Sequence, residues 1–153
     1  MAAVNPIPKG LHTVTPQLTV TGAAEAIALY KKAFGAEELS RALDPSGTKI
    51  WHAELRIGDS TLFINDAMPE MGGPSHPSAL WIFSEKAEEL FKSGVAAGLE
   101  VVWPMTDQFW GDRTGTLKDK WGNKWSVGKH IKDMTEAEMK KAGEAFAKQQ
   151  GAK

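Results

Sequence analysis

Apolar and polar residues alternate along two stretches in the first half of the chain, residues 11–20 and 49–57. A period of two predicts β-strands with one apolar and one polar face. Because Pro cannot donate a ladder hydrogen bond, Pro16 indicates a sheet edge or a bulge. The apolar faces are predicted to carry Val14, Leu18, Val20, Trp51, Leu55 and Ile57, and the opposite faces Thr13, Thr15, Gln17, Ile50, His52 and Glu54.

Apolar stripes with the helical period predict two helices, at residues 23–34 and 85–97. A glycine follows each stretch directly, and glycine is the residue best suited to end a helix. A capping box at residues 135–138 predicts a third helix that ends near residue 149.

The same order of elements, one strand, one helix and three strands, is predicted twice, in residues 11–67 and in residues 78–131. The stretch 68–78 between them is rich in Pro and Gly, which is typical of a module boundary. A C-terminal helix at residues 134–150 follows. We therefore expect the α+β class, with tandem βαβββ modules in one structural domain.

Two β-prone runs, residues 113–117 and 124–127, flank a turn sequence at residues 119–123. Gly122 and Asn123 tolerate positive φ, which is typical of hairpin turns. We interpret these runs as a hairpin that supplies the last two strands. On periodicity alone it is an ordinary hairpin with aromatic packing on one face.

The motif GDRTGTLKDKWGNKWSV at residues 111–127 resembles the closing hairpin of the vicinal oxygen chelate superfamily, which contains glyoxalase I, bleomycin-resistance proteins and extradiol dioxygenases. The longer form DQFWGDRTGTLKDKWGNKWSVGKH, residues 107–130, is similar to the PhnB-like, or demethylubiquinone methyltransferase-like, branch. The resemblance covers about residues 11–131. It implies a curved eight-stranded cup with helices outside, a ligand inside, and a homodimer.

Members of this superfamily that resemble glyoxalase I carry a metal ligand at four places. In this chain the places fall on Thr15, on Asn65 or Asp66, on Ala79 and on Ser126. A divalent metal ion needs several converging ligands, and at most one is present here. The resemblance therefore implies a protein without the usual metal-ligand set, and we expect no cofactor.

A second arrangement would restore a divalent metal ion. His52 and Glu54 occupy positions i and i+2 of one predicted strand, so their side chains face the same side. With Asp66 from a neighbouring strand they could form a shifted metal site or supply a general base. The alternative is a hydrogen-bonded polar network without catalytic chemistry.

Aromatic residues near the hairpin offer a further candidate site. Trp103, Phe109 and Trp110 could form a wall for a flat or apolar ligand, or they could pack in the core or a dimer interface. Arg113 could bind a ligand carboxylate or phosphate, or pair with a neighbouring aspartate. His130 ends the last strand, where it could close the ligand site or have a structural role.

Composition limits the partners. The chain is 42% hydrophobic with a net charge of −1, so we expect no nucleic acid or membrane partner. The absence of Cys excludes disulfides, thiolate nucleophiles and thiolate metal sites. No apolar run reaches the roughly 20 residues of a membrane span. Residues 1–10 lack the apolar run of a signal peptide, which predicts an extended arm and a cytoplasmic protein.

Two functions follow from these observations. The first is a small-molecule binding protein of the glyoxalase/bleomycin-resistance type without catalytic metal. The alternative is a lyase, isomerase or dioxygenase that uses a divalent metal at the shifted site, with His52 and Glu54 as candidate catalytic residues. The residues predicted to bind the ligand are Thr15, Gln17, His52, Glu54, Trp110, Arg113 and Ser126.

Overall fold

A computed structural model of the protein describes residues 4–151. The first three residues of the predicted extended arm lie outside the described residues. The chain forms two compact units, with the boundary between Ser78 and Ala79. Within residues 4–151, no helix has the length and apolar character needed to cross a membrane.

The first unit is a four-stranded mixed sheet with one helix. Its elements are β1 (Gln17–Val20), α1 (Ala23–Phe34), β2 (Glu37–Leu43), β3 (Ile50–Ile57) and β4 (Ser60–Asp66), followed by a short 3-10 helix at Pro69–Met71. The strand order is β1-β4-β3-β2. Strand β1 runs parallel to β4, and the other neighbours are antiparallel.

The second unit repeats this arrangement and adds a helix. Its elements are β5 (Ala79–Phe83), α2 (Ala87–Ala96), β6 (Glu100–Asp107), β7 (Asp112–Lys118), β8 (Lys124–His130) and α3 (Glu136–Gly151). The strand order is β5-β8-β7-β6, with β5 parallel to β8. The predicted α+β class, with two βαβββ units and a C-terminal helix, is confirmed.

Helix α1 covers one face of the first sheet. Its stripe residues Ile27 and Tyr30 are buried, as are Leu18, Ala53 and Ile64 on the facing strands. Burial of large apolar side chains contributes roughly 1.5–3 kcal/mol each, so this apolar face is the main stabilising element of the unit.

The first strand is shorter than predicted. It begins at Gln17 instead of near Leu11, and Val14, which the alternation places on the apolar face, is 83% exposed. Pro16 lies directly before the strand, and its carbonyl still accepts a hydrogen bond from the backbone N–H of Phe63 (2.9 Å). Since Pro16 has no N–H of its own, regular pairing starts at the next residue.

The predicted face of Trp51 is wrong. Trp51 is 47% exposed, whereas Ile50, predicted for the opposite face, is 2% exposed. In the pairing of β2 with β3, Ala42 lies opposite His52 and Leu43 opposite Ile50, so Trp51 is an extra residue in β3. Such a bulge reverses the side-chain alternation, which the sequence period cannot reveal.

Strand β6 runs through Pro104. It lies at the edge of its sheet, where a residue without an N–H is tolerated. Trp103 pairs with Thr116 and Thr106 with Thr114, so β6 has one extra residue beside Pro104. The strand is therefore bulged at the proline and continues beyond it.

The predicted hairpin is formed by β7 and β8, and the side chain of Asp119 holds its turn. Asp119 is only 3% exposed. Its Oδ1 accepts hydrogen bonds from the backbone N–H groups of Trp121 (3.0 Å) and Asn123 (2.9 Å). Its Oδ2 accepts from Asn123 Nδ2 and Trp125 Nε1, both at 3.1 Å. One buried carboxylate thus fixes both the turn and the first residues of β8.

We predict that Asp119→Ala lowers the free energy of unfolding by about 3 kcal/mol or more, because four donors lose this acceptor in a buried place. Urea denaturation measures the change. Asp59→Ala, at an exposed turn of the first unit, is the matched control and should stay within about 0.5 kcal/mol. Equal losses in both variants would contradict the role given to Asp119.

Candidate functional site

Each sheet has one face covered by its own helix, and the polar candidates of the first sheet lie on the other face. Alternation from the buried Leu18, Ala53 and Ile64 places their strand neighbours on this uncovered side. We call it the polar face, and it consists of Gln17, Thr19, His52, Glu54, Phe63 and Asn65.

An amide network occupies one end of the polar face. Asn65 Oδ1 accepts hydrogen bonds from Gln17 Nε2 (2.9 Å) and Thr19 Oγ1 (3.0 Å). Asn65 Nδ2 donates to the backbone carbonyl of Asp66 (2.9 Å). Gln17, predicted to bind the ligand, is thus held by Asn65, whereas Thr15 lies in the irregular segment before β1.

His52 and Glu54 lie side by side on the polar face, as their spacing predicts. His52 Nε2 is 3.7 Å from Glu54 Oε1, which is beyond hydrogen-bond distance. The imidazole ring packs edge-on against Phe63, with ring centroids 4.6 Å apart. The pair is half-exposed and is available to a ligand.

The structure does not bring Asp66 to this pair. Asp66 Oδ1 accepts hydrogen bonds from the backbone N–H groups of Gly22 and Ala23, both at 2.9 Å, at the start of α1. Its Oδ2 accepts from the backbone N–H of Ile50 (2.7 Å). Asp66 therefore caps α1 on the helix-covered side, where a carboxylate is favoured by the helix dipole. Among residues 4–151, no three His, Cys, Asp or Glu side chains form a group that could hold a metal ion.

A groove of about 560 Å³ opens at the edge of the first unit, lined partly by Glu54, Arg56 and Lys9. The Arg56 guanidinium is already paired with Glu37, with Nη2 2.6 Å from Oε2. The groove is wide and its charges are of both signs, so it shows no clear preference for one class of ligand.

In the second sheet, α2 covers the face that carries Gly115. A Cβ at Gly115 would lie 2.6 Å from Phe91 Cε2 of α2, so only glycine fits there. Arg113 is two residues away on the same strand and projects to the same side. It forms ion pairs with Glu88 of α2 and with Asp107. Of the two alternatives for Arg113, the structure therefore shows the pairing with a neighbouring aspartate, Asp107.

The opposite face of the second sheet carries a row of four residues across all four strands. Trp81 pairs with Ser126, Ser126 with Thr116, and Thr116 with Trp103. Residues directly opposite one another in a ladder project to the same side. We call this side the aromatic face, and it consists of Trp81, Phe83, Trp103, Thr106, Asp112, Thr114, Thr116, Ser126, Gly128 and His130.

Large rings stand at the edges of the aromatic face, and small side chains form its middle. Trp81, Phe83 and Trp103 are 53%, 58% and 69% exposed. The rings of Trp81 and Phe83 are stacked, with centroids 5.9 Å apart and an interplanar angle of 16°. Between the edges, the hydroxyls of Thr116 and Ser126 are hydrogen-bonded at 2.9 Å. The face therefore has the profile of a trough.

Gly128 lies in the middle of this trough. A Cβ there would lie 3.1 Å from Thr114 Cγ2 and 3.3 Å from Phe83 Cε1. A Cβ at this position would crowd both side chains, so the glycine lets Phe83 and Thr114 pack closely against the strand.

Sequence reasoning missed Trp81 and Phe83. Strand β5 reads ALWIF, in which both faces are apolar, so alternation gives no sign of which face is exposed. The signal in the sequence was a pair of large aromatic residues, Trp81 and Phe83, at positions i and i+2 of one short strand. Ser126 and Trp103 were predicted near the ligand site, and the structure brings them together with Trp81.

Phe109 and Trp110, by contrast, belong to the contact with the C-terminal helix. Their rings meet edge-on at 5.1 Å, and Phe109 lies 5.2 Å from the ring of Phe146 in α3. Trp110 Nε1 donates a hydrogen bond to Asp112 Oδ2 (2.8 Å). These contacts favour the second alternative for Phe109 and Trp110, in which the rings pack within the unit and do not form a wall for a ligand.

Residues 10–127 match the model of the Glyoxalase/Bleomycin resistance protein/Dioxygenase superfamily. The chain belongs to this superfamily.

Three relatives illustrate the extent of the likeness. An uncharacterised protein of Mycobacterium bovis is 37% identical over 138 residues, which cover 84% of this chain and 90% of that protein. The crystal structure of TioX from Micromonospora sp. ML1 matches with a TM-score of 0.66 at 23% identity, covering 78% of this chain and 99% of TioX. A PhnB protein from Bacillus cereus matches with a TM-score of 0.57 at 16% identity, covering 77% and 99%. The two structures show the shared fold.

The four superfamily positions for metal ligands carry other chemistry in this chain. Thr15 precedes β1, and Ala79 has only a methyl group. Asn65 uses its amide oxygen for Gln17 and Thr19, and Ser126 bonds to Thr116. If Asp66 takes the place of Asn65, it is a single carboxylate that already accepts three backbone N–H groups, so these positions fit a divalent metal poorly.

His130, at the end of β8, is held by two carboxylates. Its Nδ1 lies 2.7 Å from Asp112 Oδ1, and its Nε2 lies 3.0 Å from Asp133 Oδ1. An ionised carboxylate only accepts hydrogen bonds, so both bonds form together only when both ring nitrogens carry a proton. The hydrogen bonds to Asp133 and Asp112 accordingly raise the pKa of His130 above its ordinary value of 6.5.

We predict that His130 titrates above 6.5, and that Asp133→Asn and Asp112→Asn each lower its pKa. Because the pKa is raised in the folded state, the stabilisation is fully present below the ordinary pKa and is lost as pH rises through the raised one. NMR chemical shifts of the imidazole Cε1–H followed against pH measure both effects. Asp59→Asn serves as the control that should leave the midpoint unchanged.

Proposed function

We propose that the protein binds a flat aromatic small molecule on the aromatic face, and that it does so without a resident metal ion. The observation that supports this most is the row Trp81, Ser126, Thr116 and Trp103. It places two exposed indole rings on either side of a hydroxyl pair.

The size of the row suits a small planar molecule. Three strand spacings of about 4.8 Å place the Cα atoms of Trp81 and Trp103 about 14 Å apart. Aromatic rings favour offset-stacked or edge-to-face partners, and each such pair contributes about 0.5–1.5 kcal/mol beyond the buried area. A molecule of two to four fused rings could therefore contact both tryptophans.

The hydroxyl pair gives the face a means of orienting its ligand. Ser126 is 8% exposed and bonds to Thr116, and each hydroxyl keeps acceptor capacity beyond that shared bond. Ligand sites commonly combine an apolar lining with a few well-placed polar groups. The arrangement favours a ring system with at least one hydrogen-bonding substituent.

The metal-dependent alternative has weaker support. His52 and Glu54 are adjacent, but the third candidate ligand, Asp66, accepts hydrogen bonds from three backbone N–H groups around the start of α1. Moving Asp66 to the pair would leave those donors without their acceptor, which is costly. Two ligands are fewer than a divalent ion normally requires.

We further propose that the chain belongs to the PhnB-like branch of the superfamily. The motif at residues 107–130 and the fold shared with the PhnB protein of Bacillus cereus support this assignment. Homodimer formation and a cytoplasmic location also remain proposals, which size-exclusion chromatography with light scattering and cell fractionation would test.

We predict that neutral planar molecules with two to four fused rings raise the melting temperature, because a ligand that binds only the folded state stabilises it. Trp81→Ala or Trp103→Ala should weaken binding of the best probe by about tenfold or more, which corresponds to about 1.4 kcal/mol. Isothermal titration calorimetry measures the dissociation constants.

Trp51→Ala is the matched control, since Trp51 is a comparably exposed tryptophan on the first sheet. It should leave the affinity unchanged. If no planar probe shifts the melting temperature, or if Trp51→Ala weakens binding as much as the other two variants, binding on the aromatic face is excluded.

We predict that the purified protein holds no stoichiometric Ni²⁺, Zn²⁺, Mn²⁺ or Fe²⁺ after reconstitution with each ion, because its candidate ligands do not converge. Elemental mass spectrometry of untagged protein measures the content, with His52→Ala as the comparison. Stoichiometric metal that is lost in His52→Ala would instead support the metal-dependent enzyme.

A further inference from the structure

We propose that Asp112 and His130 form an anion-binding end of the aromatic face, so that its ligand is a planar aromatic anion. In the free protein, the carboxylate of Asp133 occupies the position that the ligand's anionic group takes. This inference rests on the proposed function and adds the ligand's charge to it.

The position of His130 on the sheet is the first step. The pairing of β7 with β8 is continuous from Lys118 opposite Lys124 to Asp112 opposite His130. Without a bulge, His130 projects to the same side as Gly128, two residues earlier. Its Cα lies about 6.8 Å beyond that of Gly128, given a rise of about 3.4 Å per residue. A ring stacked on Phe83 thus has its edge within reach of the imidazole.

The second step is that one carboxylate is fixed and the other is not. Asp112 has a side chain only 13% exposed, and it accepts hydrogen bonds from both His130 Nδ1 and Trp110 Nε1. Asp133 has a fully exposed side chain, and it reaches His130 Nε2 from the segment between β8 and α3. Asp112 therefore orients the imidazolium, and Asp133 is a surface partner that can be exchanged.

The third step concerns charge. One imidazolium with two carboxylates has a net charge of −1, so an additional anion is not favoured while Asp133 is bound. If the incoming anion replaces Asp133, the hydrogen bond to Nε2 is kept and the freed Asp133 carboxylate is solvated by water. Exposed ion pairs contribute little to the free energy of unfolding, so replacing Asp133 by the ligand's anion destabilises the protein only slightly.

The segment that carries Asp133 is anchored independently of that bond. The backbone N–H groups of Ile131 and Lys132 donate to the carbonyl of Gly111 at 2.9 and 3.0 Å. Gly111 has φ of +98°, and a Cβ there would lie 2.1 Å from the carbonyl oxygen of Lys132. The backbone therefore stays in place when the side chain of Asp133 turns away.

Two probes of equal shape test the proposal: 2-naphthoate and its neutral amide, 2-naphthamide. Calorimetry at constant ionic strength and near pH 5.5 compares their dissociation constants, because this pH lies below the ordinary pKa of His130 and keeps the imidazole charged in the natural protein and in Asp133→Asn. We expect 2-naphthoate to bind the natural protein about tenfold more tightly than the amide, since a charge-assisted hydrogen bond is stronger than a neutral one.

Three variants assign this difference to the residues named. His130→Gln should reduce the ratio of the acid's affinity to the amide's from about tenfold to about one. Asp133→Asn should strengthen 2-naphthoate binding about threefold, because the competing carboxylate is gone, and should strengthen amide binding less. Asp59→Asn removes a distant exposed carboxylate and should change neither probe. Circular dichroism melts show that each variant is folded.

The outcomes separate the two proposals. If both probes bind with equal affinity, the anion-binding end is wrong and binding on the aromatic face still stands. If the acid keeps its advantage in His130→Gln, or Asp133→Asn does not strengthen its binding, the assignment to these residues is wrong. If neither probe binds the folded protein, this inference fails together with the proposed function.

Discussion

The register between β7 and β8 is the constraint on which the second unit depends. The buried carboxylate of Asp119 closes the turn and binds the indole of Trp125, so β8 can pair with β7 in only one way. Because side chains alternate strictly along a strand, a slip by one residue would exchange the two faces. The register therefore directs Trp125 towards the core and Ser126 to the aromatic face. The aromatic face takes side chains from four strands, and these side chains share one side of the sheet only in this register.

Much of the fold could be predicted from local patterns. The stripe of α1, the glycine after it and the capping box of α3 are signals within a few residues, and the structure contains all three elements. The errors arose where pairing with another strand decides the outcome. Trp51 is exposed because β3 has one more residue than β2 at that point, and the alternation within β3 does not reveal its partner strand. Strand β1 begins only at Gln17 because Pro16 has no N–H, whereas the alternation before Pro16 suggested an earlier start.

The candidate site was harder to predict because it is assembled from distant segments. His52 and Glu54 were found correctly as a pair since they lie on one strand. Trp81 lies far along the chain from Ser126, and only the parallel pairing of β5 with β8 brings them together. Arg113 shows the reverse case: it lies beside candidate residues in sequence, yet alternation turns it towards α2 and Glu88. Proximity in sequence is therefore a weak guide to which side chains share a face of a sheet.

The two units share one plan, but their uncovered faces differ in chemistry, and the difference begins at the strand ends. In the first unit, the last helix-facing residue of β1, Val20, lies opposite Asp66, which ends β4 and caps α1. In the second, the corresponding residue of β5, Ile82, lies opposite Val127, and β8 continues to His130. Helix α2 has Lys86 as its N-cap and no side-chain cap, and the hydroxyl of Ser84 accepts the backbone N–H of Lys86 (3.1 Å) in the turn before the helix. Strand β8 has Val127 where β4 has Asp66, and its three further residues bring a histidine to the end of the aromatic face. The two units therefore share the order of their elements, and the pairing of Asp112 with His130 at the end of the β7–β8 hairpin places charged groups on the aromatic face.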